Sequence, residues 1–464
     1  MELKKPKNSN YAAVVVEIKT LVPLEKCDNV QAAIIMGNQI IVSKEVKIGD
    51  IGLFFPVETA LSNEYLKANN LYRKPELNND PTQKGYFEEN RRIRCVKFRG
   101  HKSEGLFMPL SSVLFITYKD GKVDPILTLG KTFDELNGVP ICEKYVVKIN
   151  RIPGQPGSKK DGTTKYKSKL VENQFRFHKD TEQLYRNIHK IKPDDLISIT
   201  YKLHGTSGIS SYVLCKRKIT KRERIGAFLN NIYTKLVTLG KSRYITLETE
   251  YDYLYSSRKV IKNPELNPNA QHYYNEDIWG IAHKELEPYL QKGLSLYYEI
   301  VGYLPNGGMI QKDYDYGCEF GEHAIYIYRI TQTNSDGKVF EFSAKQVQDF
   351  CKKNGLNAVP ELYYGFAKDF TDNISIKTAG SDLGGTDLIC KIDEEFDSDK
   401  FLNRIKQLYN EKDCFMCKTK VPEEGCVLRI EGNDLEVFKC KSTRFLEKET
   451  KALDKGEVNI EDLE

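Results

Sequence analysis

The chain has 464 residues, of which 40% are hydrophobic and 29% are charged, and its net charge at pH 7 is +5. This length exceeds what one hydrophobic core usually organises, so we expect at least two domains of ordinary globular composition. No run of about 18 apolar residues is present that could span a membrane, and the modest net charge does not by itself indicate a nucleic-acid binder.

The N-terminus and the cysteines indicate an intracellular protein. The basic segment Met1–Lys7 is not followed by an apolar stretch of signal-peptide type. Eleven scattered cysteines, an odd number, favour reduced thiols over a disulfide framework. Cys414 and Cys417 form one close pair, but zinc needs further ligands at suitable spacing, so we interpret them as an inert loop pair. We expect a cytoplasmic protein with neither a membrane nor an obligate protein partner.

The first part of the chain, residues 11–115, alternates strand-like runs with turns. The runs are Tyr11–Thr20, Ala32–Ser43, Ile51–Pro56, Arg92–Phe98 and Leu106–Leu110. Their number predicts a small all-β barrel of the OB type, an architecture that commonly binds oligonucleotides. The polar stretch 72–90 between them is predicted to be a long loop.

Basic residues cluster in two segments. In the first, strand alternation places Lys97 and Arg99 on one face and Val96 and Phe98 on the other, so Lys97 and Arg99 are candidates for contacting nucleic-acid phosphates. The second, residues 216–224, has little apolar content and is more typical of a solvated surface than of a binding site.

A polar, turn-rich stretch at residues 153–162 predicts a connector. Beyond it, strands mix with helices predicted at 180–190, 344–354 and 399–410, so the larger part of the chain is predicted to be α+β. We therefore expect an OB-like domain at 1–120, a linker with connecting loops at 121–170 and a second domain at 171–464.

The apolar run Leu196–Tyr201 leads directly into Lys202-Leu203-His204-Gly205. A lysine at the end of a strand, beside a glycine turn, is a candidate covalent nucleophile. The four-residue pattern is too short to stand alone, so the prediction depends on partners further along the chain.

Four downstream segments supply such partners. Glu299 is the single acid of an apolar strand, and Tyr326 with Tyr328 shares one face of another strand, where the two rings fit base stacking or a core equally well. Two further runs, 424–429 and 435–441, read as a hairpin that begins with Glu424. Alternation along its second strand points Lys439 and Lys441 the same way.

A lysine nucleophile must be neutral, whereas a lysine with a pKa of ~10.4 is neutral in only about one molecule in 2,500 at pH 7, a penalty of roughly 4.6 kcal/mol. Cationic neighbours disfavour the ammonium, and lowering the pKa by ~3 units offsets roughly 4 kcal/mol. Within the sequence, Lys439 and Lys441 are the cations available for this.

In this order the segments resemble the motifs of the covalent nucleotidyltransferase superfamily of ligases and capping enzymes. The matching segments are Lys202–Ser207, Ser256–Arg258, Tyr298–Gly302, Ile325–Ile330, Glu424–Arg429 and Lys439–Lys441. The resemblance implies an adenylyltransferase domain, similar to ATP-grasp ligases, built of antiparallel sheets with flanking helices.

Two features resemble RNA ligases in particular, and among them RNA ligase family five. His204 stands at the position where DNA ligases and capping enzymes usually carry aspartate. In addition, the predicted barrel precedes Lys202, whereas the OB domain of DNA ligases and capping enzymes usually follows the last motif. The segments 175–181 and 94–109 also resemble that family. This implies an ATP-dependent RNA ligase that uses Mg²⁺ or Mn²⁺ and acts on nicked duplexes or broken RNA ends. The alternatives are a DNA ligase, an RNA guanylyltransferase or a noncatalytic nucleic-acid-binding protein.

The resemblance also implies roles for the site residues. Lys202 becomes lysyl-AMP, Lys439 and Lys441 contact the α-phosphate, and His204 is a catalytic position of unassigned role. The remaining roles are Arg258 for the ribose or the RNA phosphate, Glu299 for the ribose hydroxyls and as a metal ligand, Glu424 for the metal ion, and Tyr328 or, as second choice, Tyr326 for the adenine.

Overall fold

Two groups of β-sheets follow one another along the chain. The computed structural model describes residues 4–116, 127–147, 169–217, 220–237, 249–264, 274, 276–372, 397–409, 411–432 and 434–457. The predicted connector at 153–162 lies outside the described residues. Within them, no helix has both the length and the apolar character needed to cross a bilayer.

The first unit is built of short strands and one short α-helix. Its elements are β1 (Ala13–Glu17), β2 (Leu21–Pro23), β3 (Val30–Ile35), β4 (Asn38–Ser43), β5 (Ile51–Pro56), β6 (Thr59–Leu61), α1 (Asn63–Ala68), β7 (Val96–Phe98), β8 (His101–Ser103), β9 (Gly105–Pro109), β10 (Thr132–Phe133), β11 (Glu135–Leu136), β12 (Val139–Pro140) and β13 (Cys142–Lys144). The main sheet has the order β10-β1-β5-β9, beside a three-stranded sheet β2-β3-β4. Apolar side chains of β1 and β5 face two buried clusters, one on each side of the main sheet.

Pairing extends this unit beyond the limit expected at residue 120. Strand β10 pairs with β1, and β13 pairs with β6, although both lie in the segment 121–170 that the sequence predicted as a linker. The domain limits remain a prediction, and these pairings favour an end of the first unit near Lys144.

The strand expected over Arg92–Phe98 is shorter than predicted, since β7 covers only its last three residues. Arg99 and Gly100 form the turn of the β7–β8 hairpin with φ of 48° and 89°, so Arg99 lies outside the strand. Val96 and Phe98 are 39% and 46% exposed, so the opposite face of β7 is not packed into a core as the alternation suggested.

The second unit mixes longer strands with helices. Its elements are β14 (Glu182–Gln183), α2 (Leu184–Asn187), β15 (Leu196–Tyr201), β16 (Thr206–Lys216), α3 (Lys221–Val237), β17 (Thr249–Ser256), α4 (Ile278–Leu286), β18 (Leu294–Gly302), β19 (His323–Thr333), β20 (Val339–Glu341), α5 (Ala344–Asn354), β21 (Asn357–Ala358), β22 (Glu361–Phe366), α6 (Ala367–Asp372), α7 (Ser398–Tyr409), β23 (Gly425–Ile430), β24 (Glu436–Lys441) and α8 (Thr443–Asp454).

These strands form two largely antiparallel sheets. One has the order β14-β24-β23-β15-β22, and the other has the order β17-β16-β18-β19-β20, with β21 added beside β19. Helices α4 and α5 pack on the outer face of the second sheet, around the fully buried Trp279. A further apolar cluster, which includes Tyr201, Leu203 and Phe445, lies at the junction of the two sheets and supports the residues around Lys202.

Of the helices predicted at 180–190, 344–354 and 399–410, the last two have nearly the predicted bounds in the structure. Helix α5 has the predicted bounds because Ser343 and Gln346 form a capping box and Gly355 ends the helix in the left-handed conformation, with φ of 68°. The helix predicted at 180–190 is wrong in its first part. Glu182 and Gln183 instead pair in parallel with Phe438 and Lys439 of β24, an interaction that local periodicity does not encode.

Candidate active site

Lys202 lies at the end of β15, which runs between β22 and β23. Its backbone N–H donates to the carbonyl of Gly425 at 3.0 Å, which fixes the end of the strand against β23. Its Nζ lies 2.7 Å from Oε1 of Glu424, and the two side chains are 22% and 5% exposed. The predicted nucleophile and the predicted metal ligand are therefore in direct contact.

The turn after Lys202 joins the two sheets. The N–H of Gly205 donates to Oε1 of Glu299 at 3.1 Å, and the hydroxyl of Ser207 donates to Oε2 at 2.9 Å. A Cβ at position 205 would lie 2.2 Å from the carbonyl oxygen of Ile300, so only glycine permits this approach. Glu299 thus holds the turn in addition to any role toward a nucleotide.

His204 packs among aromatic rings. Its N–H donates to the hydroxyl of Tyr316 at 2.6 Å, and its imidazole meets the rings of Tyr314 and Phe445 edge-on at 5.0 and 4.8 Å. Its Nδ1 lies 3.9 Å from Oε2 of Glu424. His204 is not among the residues lining the cavity that holds Lys202, so a role in orienting Glu424 fits its position better than contact with a substrate.

Lys439 and Lys441 lie on the same face of β24, as alternation predicted, and both line the cavity. Burial lowers the pKa of Lys439 to about 8, and the charges of Lys441, Lys202 and Arg258 contribute in the same direction. Burial acts to lower the pKa of Lys441 as well, but nearby carboxylates outweigh it and hold that pKa well above its ordinary value. The site therefore contains one lysine, Lys439, whose surroundings disfavour the ammonium and a second, Lys441, whose surroundings favour it.

Strand β19 carries a bulge opposite Tyr297 and Tyr298. Because a bulge adds one residue, Tyr328 and the following Arg329 both line the cavity. The hydroxyl of Tyr328 lies 2.8 Å from Nδ1 of His178. Tyr326 packs against the same apolar cluster as Tyr328 but does not line the cavity, so Tyr328 is better placed to meet a base.

These side chains surround one cavity of about 630 Å³, which is within the size range of small-molecule sites. The predicted residues that line it are Lys202, Arg258, Glu299, Tyr328, Glu424, Lys439 and Lys441. Arg258 also forms an ion pair with Asp180 at 2.6 Å. Lys97 and Arg99 are not among the residues that line the cavity: Lys97 pairs with Glu447 at 3.2 Å, and Arg99 donates to the carbonyl of Lys26.

Sequence reasoning missed several lining residues. Glu58 and Tyr11 come from the first unit, and Glu449 comes from α8. No sequence signal marks them, since each is an ordinary residue of its own segment. His178 and Arg329 lie inside segments that the sequence had already singled out, so only their individual positions were missed.

The donor set around Glu424 fits a divalent cation held by a single carboxylate. Among the described residues, Oε2 of Glu424 is buried and has no hydrogen-bond partner. Hard cations such as Mg²⁺ and Mn²⁺ take oxygen ligands and retain waters, so one carboxylate suffices for a hydrated ion. In the described part of the chain, no cluster of three or more His, Cys, Asp or Glu side chains that could hold a metal ion is found.

Comparison with known proteins identifies the architecture. A family described as an OB-fold domain matches residues 12–110. Solved structures of Naegleria gruberi RNA ligase match with a TM-score of 0.52: a variant with AMP and Mn at 16% identity, covering 94% of this chain and 98% of that chain, and the enzyme with PPi at 15% identity, covering 95% and 98%. A further variant with ATP and Mn matches with a TM-score of 0.51 at 16% identity, covering 94% and 98%.

The chain has the fold of these RNA ligases. Its first unit is an OB-fold domain, and an α+β domain of antiparallel sheets and helices follows, so the predicted fold class is confirmed. A comparison with curated protein sequences gave no significant match.

Proposed function

We propose that the chain is an ATP-dependent RNA ligase that joins a 3′-hydroxyl to a 5′-phosphate. Lys202 attacks the α-phosphate of ATP, a P–N bond forms, and pyrophosphate leaves. The adenylate passes to the RNA 5′-phosphate, and the 3′-hydroxyl then displaces AMP to close the phosphodiester. Sealing of nicks or repair of broken RNA is the role that this chemistry suits.

One observation supports the proposal above all: Lys202, Glu424, Lys439 and Lys441 come from separate segments and meet around one cavity. Each is an unremarkable charged residue in its own segment. Their convergence supplies a nucleophile, a carboxylate and two cations, which are the groups that nucleotidyl transfer requires.

The charges in the cavity suit phosphoryl transfer. Negative charge builds on the nonbridging oxygens of the α-phosphate, and Lys439 and Lys441 provide cations toward it. We assign adenine stacking to Tyr328, the ribose hydroxyls to Glu299 and a ribose or RNA phosphate contact to Arg258, all of which line the same cavity. These residues orient the nucleotide so that the α-phosphate faces Lys202.

Glu424 would hold the metal ion through Oε2 or through a water. When bound, a divalent cation would stabilise charge on the phosphate oxygens and weaken the hold of Glu424 on the Lys202 ammonium. Before ATP binds, Glu424 stabilises the protonated, unreactive amine at 2.7 Å.

The first test is formation of the covalent intermediate. The protein is incubated with α-labelled ATP or GTP and Mn²⁺, and the label that stays with the protein on denaturing electrophoresis and is released by acid, as a P–N bond requires, is measured. We expect label from ATP, none from GTP and none with Lys202→Ala. Label from GTP alone, or ATP label that survives Lys202→Ala, would contradict the proposal.

The second test defines the substrate. Four nicked duplexes carry RNA or DNA on each side of the break, and joined product is measured with wild-type protein and with Lys202→Ala. We expect joining to require RNA on at least one side of the nick. Equal joining of the all-DNA duplex would indicate a DNA ligase.

A further inference from the structure

Glu58 belongs to the OB-fold domain, yet it contacts a lysine of the second domain. It lies in the turn between β5 and β6, and its Oε1 is 3.1 Å from Nζ of Lys441. Glu449 of α8 approaches the same Nζ to 3.2 Å. The side chains of Lys441, Glu58 and Glu449 are 14%, 19% and 13% exposed, so this three-residue cluster is largely shielded from water.

The backbone of Glu58 adopts an unusual conformation. Its φ is 66°, in the left-handed region that side chains other than glycine rarely adopt. Two hydrogen bonds hold it there: its N–H donates to the carbonyl of Ile93 at 3.2 Å, and its carbonyl accepts from the N–H of Tyr145 at 2.8 Å. Strained residues of this kind persist where the surroundings over-determine them, and they are concentrated at functional sites.

The charges within the cluster are unequal. Burial acts to raise the pKa of Glu58, but Lys441 and the hydrogen bond from Glu449 lower it to about 2. Burial raises the pKa of Glu449 to about 8, and the neighbouring Glu58 acts in the same direction. Of the two acids in contact with Lys441, Glu58 is therefore the one held more strongly in its ionised form.

We infer that Glu58 is a positioning residue for Lys441, so that the OB-fold domain completes the nucleotidyl-transfer site. This inference rests on the proposed function, in which Lys441 contacts the α-phosphate. Without a charged partner, a buried ammonium either loses its proton or turns toward water. Glu58 keeps Lys441 charged and directed into the cavity beside Lys439.

The test is a double-mutant cycle of Glu58→Gln and Lys441→Met, with two readouts. One is the single-turnover rate of lysyl-AMP formation at saturating ATP, and the other is the free energy of unfolding in urea. Glu45→Gln, an exposed acid of the same domain, is the matched control. If Glu58→Gln fails to fold, Glu58→Asp, which retains the charge on a shorter arm, takes its place in the cycle.

We expect Glu58→Gln to slow lysyl-AMP formation at least about tenfold, with a smaller change in the ATP concentration that gives half the maximal rate. In the Lys441→Met background, Glu58→Gln should change the rate less than about twofold, because the two residues act as one unit. Glu45→Gln should leave the rate unchanged.

Equal slowing by Glu58→Gln in both backgrounds overturns the inference. So does coupling in unfolding without coupling in the rate, which would make the contact structural only. Absence of lysyl-AMP from the unmodified protein instead contradicts the proposed function, and with it the role of Glu58 in that reaction. In that case, the double-mutant cycle on the free energy of unfolding still shows whether Glu58 and Lys441 interact.

Discussion

Nζ of Lys202 lies 2.7 Å from Oε1 of Glu424, whose second oxygen is buried without a hydrogen-bond partner among the described residues. A carboxylate so placed both holds the resting ammonium and presents an acceptor for a cation. We predict that Glu424→Gln, which keeps the size but removes the charge, slows lysyl-AMP formation by roughly 10- to 100-fold. It should also raise the Mn²⁺ concentration that gives half the maximal rate.

A manganese titration of the single-turnover rate measures this effect, and Glu361→Gln, an exposed acid on β22, is the control. An unchanged manganese dependence in Glu424→Gln would show that the metal ion is held elsewhere.

Lys439 is expected to reduce stability while serving function. Its pKa is lowered to about 8 by burial and by neighbouring cations, so the folded state binds its proton less tightly than the unfolded chain does. Lys439→Met should therefore raise the free energy of unfolding at pH 7, by roughly 1–3 kcal/mol, while abolishing lysyl-AMP formation.

The gain should shrink as the pH rises above about 8, because the wild-type lysine is then neutral in the folded state. Urea unfolding at pH 7 and pH 9.5 measures it. A Lys439→Met variant that is less stable than wild type at both pH values would contradict this account.

Tyr328 and Tyr326 should differ in their effect on ATP. Tyr328→Leu is expected to weaken binding of a nonhydrolysable ATP analogue about tenfold, since stacking contributes roughly 1–3 kcal/mol per base. Tyr328→Phe keeps the ring and removes the hydroxyl that contacts His178, so its effect should be smaller. Calorimetric titration of Tyr328→Leu, Tyr328→Phe and, for comparison, Tyr326→Leu decides between the two tyrosines. Weaker binding in Tyr326→Leu than in Tyr328→Leu would assign the adenine to Tyr326.

Glu423, the neighbour of Glu424, should make the free energy of unfolding depend on pH. Burial raises its pKa to about 7, so the folded state binds this proton more tightly than the unfolded chain. Its contribution to stability is therefore full below pH 4.5 and is lost as the pH rises through about 7. Glu423→Gln removes this loss. The free energy of unfolding of the variant minus that of the wild type should therefore be higher at pH 8 than at pH 5, by roughly 1–3 kcal/mol. Calorimetric unfolding at the two pH values measures the difference, and an equal difference at both would contradict the assignment.

The hairpin of β7 and β8 remains a predicted RNA contact. Replacing Lys97 and Arg99 by alanine should weaken nick sealing. It should also reduce the slope of the logarithm of the RNA-binding constant against the logarithm of the salt concentration by about one to two units, because one to two phosphate contacts are lost. Lysyl-AMP formation should stay intact, because neither residue lines the cavity. The paired replacement of Lys44 and Lys47, exposed lysines of the same domain, is the control. Equal loss of both steps would show that the hairpin acts structurally.

Much of the site follows from local sequence. The apolar run before Lys202 predicts a strand that ends at the nucleophile, and alternation along β24 places Lys439 and Lys441 on one face. The capping signals around Ser343 located α5. These features depend on residues only a few positions apart, which is why periodicity and capping rules detect them.

Tertiary structure alone decided the rest. Glu58 and Lys441 are 383 positions apart, and nothing in either segment marks the other as its partner. The bulge that turns both Tyr328 and Arg329 toward the cavity, and the pairing of Glu182 with β24 where a helix was predicted, arise between strands. The sequence by itself thus determined which groups are candidates for the chemistry. Packing of the two domains decided that the pKa of Lys439 is lowered and that of Lys441 is raised, because burial and distant neighbours set the pKa of a side chain.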